Sequence, residues 1–135
     1  MRIVIDTNIF ISHLLLPDSK PAEAVRKAFR SHTLLMSEIM LLELDMALAR
    51  RKFDRYISGD ERRLFLHKLH KNCEMVAIIQ RVHASRDESD DRVLELAVNG
   101  VANCVISGDK DLLSLHPFRH IPIVNAAGFL AMAGV

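Results

Sequence analysis

The sequence predicts a single α/β domain over residues 1–135, built on a mainly parallel sheet with helices flanking it in three layers. Three observations lead to this class. Short apolar runs alternate with helical patterns from end to end, no repeat or Pro/Gly/Ser-rich linker interrupts them, and 135 residues are enough for one hydrophobic core. The composition, with 50% hydrophobic and 26% charged residues, is that of an ordinary globular protein.

Each element has its own sequence signal. Five short apolar runs predict strands at residues 2–5, 34–36, 75–79, 104–106 and 121–124. Pro21 suits a first helical turn, and Ser37 is expected to cap a helix that continues to about Arg50. Further helices are predicted after Asp60, from Ser89 to a glycine stop at Gly100, and after Asn125.

Composition also excludes some classes of protein. No apolar run approaches the roughly 20 residues that a membrane helix needs, so no membrane association is expected. Asp6 and Asn8 interrupt the first apolar run, which is unlike a secretory signal. Cys73 and Cys104 are far apart and lack CxxC spacing, which favours a reducing cytoplasm.

Charge is unevenly distributed along the chain, although the net charge is only +1. Residues 26–71 hold 11 Lys/Arg and 6 Asp/Glu, whereas residues 86–111 hold 3 Lys/Arg and 7 Asp/Glu. A metal-dependent enzyme acting on a polyanion needs an acidic cluster beside a basic region. Two oppositely charged solvated faces give the same distribution, and charge alone favours that simpler interpretation.

Carboxylates occur at strand ends and inside apolar patterns. They are Asp6, the pair Glu43 and Asp45, the run RDESDD at residues 86–91, and Asp109 with Asp111. Because ligands of parallel α/β sheets bind beyond the carboxyl ends of the strands, Asp6 and Asp109 are expected to share one edge. Each acid also has a structural interpretation, as a turn cap, a helix-dipole partner or a turn residue.

The Ser37 helix carries two acids that periodicity does not distinguish. Both Glu43 and Asp45 have apolar residues at their i±3 and i±4 positions. A buried ionised carboxylate usually has a partner or a metal, so one of the two is a site candidate. The pattern does not show whether Glu43 or Asp45 is the site residue.

The helix that follows residue 88 does distinguish its two acids. From Asp90, the positions i+3, i+4 and i+7 are all apolar, whereas from Asp91 the same offsets include Glu95. Asp90 is therefore expected to point towards the strand ends. Asp91, turned by about 100°, is expected to meet solvent or to tune the pocket from its rim.

Four stretches in this order, IVIDTN, SEIMLLEL, DDRVLELA and CVISGDKDLL, resemble the PIN-domain family of metal-dependent nucleases, closest to its toxins of toxin–antitoxin pairs. The similarity spans residues 2 to about 130. The family pattern places an acid six residues after the helix-opening serine, which selects Glu43 over Asp45, and it also selects Asp90 and Asp109. Where many relatives have proline after the aspartate that matches Asp87, this chain has Glu88, which removes none of the expected ligands.

The resemblance implies a cytoplasmic endoribonuclease that uses Mg²⁺ or Mn²⁺, is restrained by a small antitoxin protein and forms a homodimer. It implies that the metal is held by the four acids Asp6, Glu43, Asp90 and Asp109, which also form the catalytic set. Thr7, Asn8, Asp91 and Ser107 are expected to support the pocket. Arg50, Arg51, Lys52 and Arg55 follow the Glu43 helix and are candidates for RNA phosphate contacts, although cationic side chains at an exposed helix end need no function.

Two other classes compete with this interpretation. A phosphatase of the haloacid dehalogenase type wants a second aspartate two positions after Asp6, where this chain has Asn8. The other rival is an inert α/β module whose acids hold a regulatory metal or a partner. Loss of nuclease activity in EDTA separates an enzyme from such a module.

Overall fold

The centre of the molecule is a five-stranded, all-parallel sheet in the order β3-β2-β1-β4-β5. A computed structural model describes residues 1–132, so the predicted domain boundary at residue 135 lies outside the described part. The strands are β1 (Arg2–Ile5), β2 (Thr33–Met36), β3 (Glu74–Met75), β4 (Cys104–Ile106) and β5 (Ile123–Val124). The predicted α/β class with a parallel sheet flanked by helices is confirmed.

Strand β1 occupies the middle of the sheet. Ile3 pairs with Leu34 of β2 on one side and with Cys104 of β4 on the other. The side chains of Ile3, Val4 and Ile5 are all at most 1% exposed. A strand covered on both faces reads as a continuous apolar run, which explains the pattern at residues 3–5.

Each of the seven α-helices in residues 1–132 begins at a polar side chain that accepts a backbone N–H bond. The helices are α1 (Thr7–Leu15), α2 (Lys20–Ser31), α3 (Glu38–Leu48), α4 (Gly59–Asn72), α5 (Glu88–Asn99), α6 (Lys110–Ser114) and α7 (Ala126–Ala131), with a short 3-10 helix at Arg51–Phe53. No helix within the described residues is long and apolar enough to cross a membrane.

Several predicted boundaries were wrong. The cap of α4 is Ser58, which forms a reciprocal capping box with Glu61, and Asp60 lies inside the first turn. Helix α3 ends at Leu48 instead of Arg50. Helix α5 starts at Glu88 because the side chain of Asp87 accepts the N–H of Ser89 over 2.9 Å.

Two strands are shorter than predicted, and helices α1 and α6 were not predicted at all. Strand β3 ends at Met75, although the N–H of Val76 still donates to the carbonyl of Met36 over 2.8 Å. Farther along, the N–H groups of Ile79 and Gln80 bond to the side chain of Asn99 instead of a neighbouring strand. Strand β5 starts at Ile123, since Ile121 forms an antiparallel bridge with Phe118.

Gly100 ends α5 as predicted, but for a different reason. Its φ of −88° lies in the ordinary right-handed region, so no left-handed turn demands glycine here. A Cβ atom would instead lie 2.7 Å from Cδ1 of Leu35 and 2.9 Å from the carbonyl oxygen of Leu96. Glycine is needed for close packing of α5 against β2.

Candidate active site

Five acids line one cleft of about 350 Å³ at the carboxyl edge of the sheet, and four of them are the acids that the family pattern selects. Asp6 directly follows β1, and Asp109 follows β4, the strand that pairs with β1. Helix α3 contributes Glu43, and the first turn of α5 contributes Asp90. The structure thus brings together the acids that the sequence placed at strand ends and on two helices.

Asp6 serves as both a helix cap and a cleft residue. Its Oδ1 accepts the backbone N–H of Asn8 over 3.3 Å and lies 3.5 Å from the hydroxyl of Thr7. Its Oδ2 accepts a 2.7 Å hydrogen bond from the buried hydroxyl of Ser107. Burial raises the pKa of Asp6, and the charge of Asp109 adds to this, whereas the bonds from Ser107, Asn8 and Thr7 lower it.

Asp109 likewise caps a helix, α6, and lines the cleft. Its Oδ1 accepts the N–H groups of Asp111 over 2.7 Å and of Leu112 over 3.3 Å. Its own N–H donates to the hydroxyl of Ser107 over 3.0 Å. Ser107 therefore ties the ends of β1 and β4 together directly beneath the cleft.

Asp90 is a buried acid of the cleft whose pKa is strongly raised. It is only 4% exposed, and burial raises its pKa to about 6. The negative charges of Asp109, Asp87 and Asp6 contribute to this rise, and a 3.3 Å bond from the Ser85 hydroxyl to Oδ2 opposes it. Mutual repulsion of this kind indicates a site built for a cation.

The donor set suits a hard divalent cation. Carboxylate oxygens of Asp90, Asp109 and Asp111 lie within 4.8 Å of one another. Mg²⁺ and similar ions take oxygen ligands, usually one or two carboxylates together with water. Asp111 was noted as a turn residue and was not selected as a ligand, although its i+2 spacing from Asp109 was a visible signal.

Asp87 is a second acid near the site that the sequence analysis did not predict as a ligand. It lines the cleft beside Asp90 and raises the pKa of both Asp90 and Glu43. Its place in the run at residues 86–91 was visible, but the pattern did not separate its two roles, helix cap and cleft wall.

Glu43 and Asp45, which periodicity left unresolved, point to different surroundings. Glu43 lines the cleft, whereas Asp45 pairs with Nε of Arg62 over 3.2 Å. Burial raises the pKa of Glu43, and Arg92, whose Nε lies 3.9 Å from Glu43 Oε1, lowers it. Arg92 also pairs with the buried carboxylate of Glu95 over 3.4 Å.

Asp91 does not meet solvent, so the first of its two expected positions was wrong. It is 4% exposed and is not part of the cleft lining. Its Oδ1 accepts the N–H groups of Ala84 over 3.0 Å and of Ser85 over 2.8 Å. The reason is that the chain before α5 folds back over this side of the helix, which local periodicity does not reveal.

The predicted cationic cluster is divided between two places. Arg50 lines the acidic cleft. Lys52 and Arg55 border a separate cavity of about 380 Å³ and lie over the rings of Phe53 and Tyr56, respectively. Arg51 is exposed on the 3-10 helix outside the cleft lining.

A cleft formed from strand-end and helix acids on a parallel sheet is the arrangement that the sequence resemblance implies. A family model described as "PIN domain" matches residues 2–111 of this chain. The chain belongs to the PIN-domain family. All four selected acids lie within the matched residues, and the predicted family is confirmed.

Two individual proteins extend this comparison. Over 120 residues, this PIN domain is 31% identical to the uncharacterized protein MJ1680 of Methanocaldococcus jannaschii, a match over 85% of this chain and 75% of that protein. A chain in the crystal structure of VapBC2 from Rickettsia felis bound to a DNA fragment from their promoter superposes with a TM-score of 0.63. That match covers 93% of this chain and 98% of the other at 12% identity, which shows a shared fold. PIN domains are generally nucleases.

Proposed function

We propose that this PIN domain is a metal-dependent endoribonuclease that hydrolyses RNA phosphodiester bonds and uses Mg²⁺ or Mn²⁺. The observation that carries the proposal is the convergence of Asp6, Glu43, Asp90 and Asp109 on one cleft. Structural carboxylates are usually paired with cations. Here burial and the neighbouring acids raise the pKa of Asp90, and the oxygen cluster that includes Asp90 suits a hard ion.

The acids have distinct roles in this proposal. Asp6, Asp90 and Asp109 hold the ion, and Glu43 completes the pocket as a ligand or as a group that orients water. Asp111 joins the set on the strength of its oxygen positions. A bound divalent ion neutralises phosphate charge and lowers the pKa of its water.

The surrounding polar groups orient these acids. Ser107 and the backbone of Asn8 hold the two oxygens of Asp6, while Thr7 contributes a longer contact. Arg50 is the one cation of the predicted group that lines the cleft, and it contacts an RNA phosphate in this proposal. Arg51, Lys52 and Arg55 do not line the cleft, so any contact they make in this proposal is with RNA outside it.

We further propose a biological setting. The protein acts in the cytoplasm as the toxin of a toxin–antitoxin pair, supported by its fold likeness to a VapBC2 chain and by two free, buried cysteines. A homodimer is part of the proposal, since α3 leaves Leu42 and Met46 53% and 65% exposed. Light scattering at micromolar concentration tests it, and a strictly monomeric mass would contradict it.

The decisive experiment for the activity is RNA cleavage by the purified protein with Mn²⁺ or Mg²⁺, with and without EDTA. We expect cleavage that stops on chelation and resumes when excess metal is added. Asp109→Asn, purified identically, controls for a contaminating ribonuclease. Cleavage that persists in EDTA would exclude the metal mechanism, and a protein that binds metal without cutting RNA would support the inert binding module.

A further inference from the structure

Three polar side chains of α5, spaced four residues apart, face the segment at residues 79–87. They are Asp91, Glu95 and Asn99, and the i, i+4 spacing puts neighbouring members on the same side of the helix. The segment forms no strand or helix before Asp87. Several of its backbone N–H groups bond to these side chains instead of to a neighbouring strand.

The three side chains accept these hydrogen bonds one after another. Asn99 accepts the N–H groups of Ile79 and Gln80 over 3.0 and 2.9 Å, and its amide donates to the Gln80 carbonyl over 2.8 Å. Glu95 accepts the N–H of Val82 over 3.4 Å.

Asp91 completes this series at the end nearest the cleft. Its Oδ1 takes the N–H groups of both Ala84 and Ser85, at 3.0 and 2.8 Å. Hydrogen bonds from amides to a carboxylate are charge-assisted and are among the stronger ones. The carboxylate of Asp91 thus determines where the backbone of Ser85 lies.

The residues that Asp91 holds continue directly into the acidic cleft. The Ser85 hydroxyl donates to Oδ2 of Asp90 over 3.3 Å and accepts the N–H of Asp87 over 3.3 Å. Asp87 then caps α5 and lines the cleft. An unbroken series of hydrogen bonds therefore runs from buried Asp91 through Ser85 to Asp90.

We propose that Asp91 is a positioning residue of the acidic site: by holding Ala84 and Ser85, it sets the Ser85 hydroxyl against Asp90 and fixes that carboxylate for cation binding. The inference rests on the proposed function only in taking the cation as what Asp90 binds. Partners of this kind orient a ligand, and their loss typically weakens metal affinity by about 10- to 100-fold.

The test is Mn²⁺ titration by calorimetry, together with amide hydrogen exchange of the metal-free protein. Asp91→Ala is expected to weaken Mn²⁺ binding about ten-fold and to speed exchange at Ala84 and Ser85. Asp91→Asn keeps an Oδ1 acceptor for both amides, so its Mn²⁺ affinity should stay within about two-fold of the parent.

Three further variants distinguish positioning of Asp90 from a general destabilisation of the segment at residues 79–87. Ser85→Ala should weaken Mn²⁺ binding by a similar factor, and the double variant Asp91→Ala/Ser85→Ala should be no worse than either single one, because both act through the same hydroxyl. Asn99→Ala is the matched control. It frees the far end of the segment and should leave Mn²⁺ affinity within about two-fold.

Native Mn²⁺ affinity in Ser85→Ala would overturn the proposal, even if Asp91→Ala failed to fold. An additive double variant, or an Asn99→Ala variant as weak as Asp91→Ala, would also overturn it. A protein that binds Mn²⁺ with the expected pattern but cuts no RNA contradicts the proposed nuclease and supports this inference. A parent protein that binds no Mn²⁺ contradicts both.

Discussion

The buried hydroxyl of Ser107 donates to Oδ2 of Asp6 over 2.7 Å. The same hydroxyl accepts the N–H of Asp109 over 3.0 Å, so one small side chain orients residues at the ends of two neighbouring strands. Its bond to Asp6 favours the ionised carboxylate and opposes the burial that raises the pKa of Asp6.

We therefore expect Ser107→Ala to weaken Mn²⁺ binding about ten-fold while the protein still folds. Without this bond the pKa of Asp6 rises further, so a proton competes better with the metal and the loss should grow as the pH falls. Calorimetric titration between pH 5.5 and 8 measures this trend. Ser31→Ala, at the exposed end of α2, is the matched control. Equal affinities of Ser107→Ala and the parent at every pH would contradict the role of the hydroxyl.

Substitution at Asp6 and Asp109 separates their two roles. Asparagine caps a helix about as well as aspartate, whereas alanine costs about 0.5–2 kcal/mol at such a position. Asp6→Asn and Asp109→Asn should therefore keep the melting temperature yet reduce RNA cleavage about 100-fold or more, since each loses a charge at the metal. Asp6→Ala and Asp109→Ala should have a lower melting temperature as well as reduced RNA cleavage. A marked drop in melting temperature in both asparagine variants would show that the charges are structural.

Much of this site could be predicted from the local sequence pattern, and Asp6 illustrates the reason. The sequence indicates that Asp6 is a cap or a site acid, and in the structure it both caps α1 and lines the cleft, because α1 begins immediately after β1. Helix α1 itself escaped prediction because its apolar residues Ile9, Phe10 and Ile11 are consecutive and show no helical spacing.

The features of the site that local pattern did not predict depend on contacts between residues far apart in the sequence. Periodicity placed Asp90 towards the strand ends, and the structure puts it in the cleft. The burial of Asp91 was missed because the covering segment is held by side chains up to 20 residues away, not by a strand ladder. The choice of Glu43 over Asp45 likewise required the family pattern, since only tertiary packing pairs Asp45 with Arg62.

Arg92 lies between two carboxylates of different exposure. Its Nε is 3.9 Å from Glu43, and its Nη1 is 3.4 Å from Glu95, which is 1% exposed. Arg92→Gln should lower the free energy of unfolding by about 1–3 kcal/mol, because the buried carboxyl group of Glu95 loses a hydrogen-bond partner. The pKa of Glu43 should also rise, since Arg92 lowers it.

Urea unfolding at pH 7.5 measures the effect of Arg92→Gln. The matched control is Arg81→Gln, which removes the other partner of Glu95 from a side chain that is 57% exposed. Because the Arg81 side chain lies largely in water, solvent and salt screen its attraction to Glu95 more strongly, so this control should be the milder variant. The opposite order would show that Arg81, not Arg92, compensates the buried charge.

Arg50 and Arg51 form a natural pair for testing RNA contacts. Both are exposed, but only Arg50 lines the acidic cleft. Arg50→Gln should weaken RNA binding and reduce the magnitude of its salt dependence by about one unit of slope, as expected for one lost phosphate contact. Arg51→Gln should have a smaller effect on RNA affinity and on its salt dependence. Binding isotherms with Asp109→Asn protein, between 50 and 200 mM salt, avoid cleavage, and equal effects of the two substitutions would contradict a specific contact by Arg50.

The adjacent acids Asp90 and Asp91 should respond oppositely to the same chemical change. Asp90→Asn is expected to abolish RNA cleavage and to weaken Mn²⁺ binding, because it removes a charge from the cleft. Asp91→Asn keeps the acceptor for Ala84 and Ser85, so substantial activity and near-native Mn²⁺ affinity should remain.

Stability gives a second, metal-free measure of Asp90. The pKa of Asp90 is about 6 in the folded protein against an ordinary value of 3.8, so folding disfavours its ionised form. The wild-type protein should therefore lose stability as the pH rises from about 4 to about 7, whereas Asp90→Asn has no such group to ionise. At pH 7.5 we expect Asp90→Asn to be more stable by up to about 3 kcal/mol, a gain that shrinks towards zero near pH 4. Urea unfolding in EDTA across this range, with both variants side by side, checks the sign. A stabilised, inactive Asp91→Asn beside an active Asp90→Asn would place the site on the other side of α5.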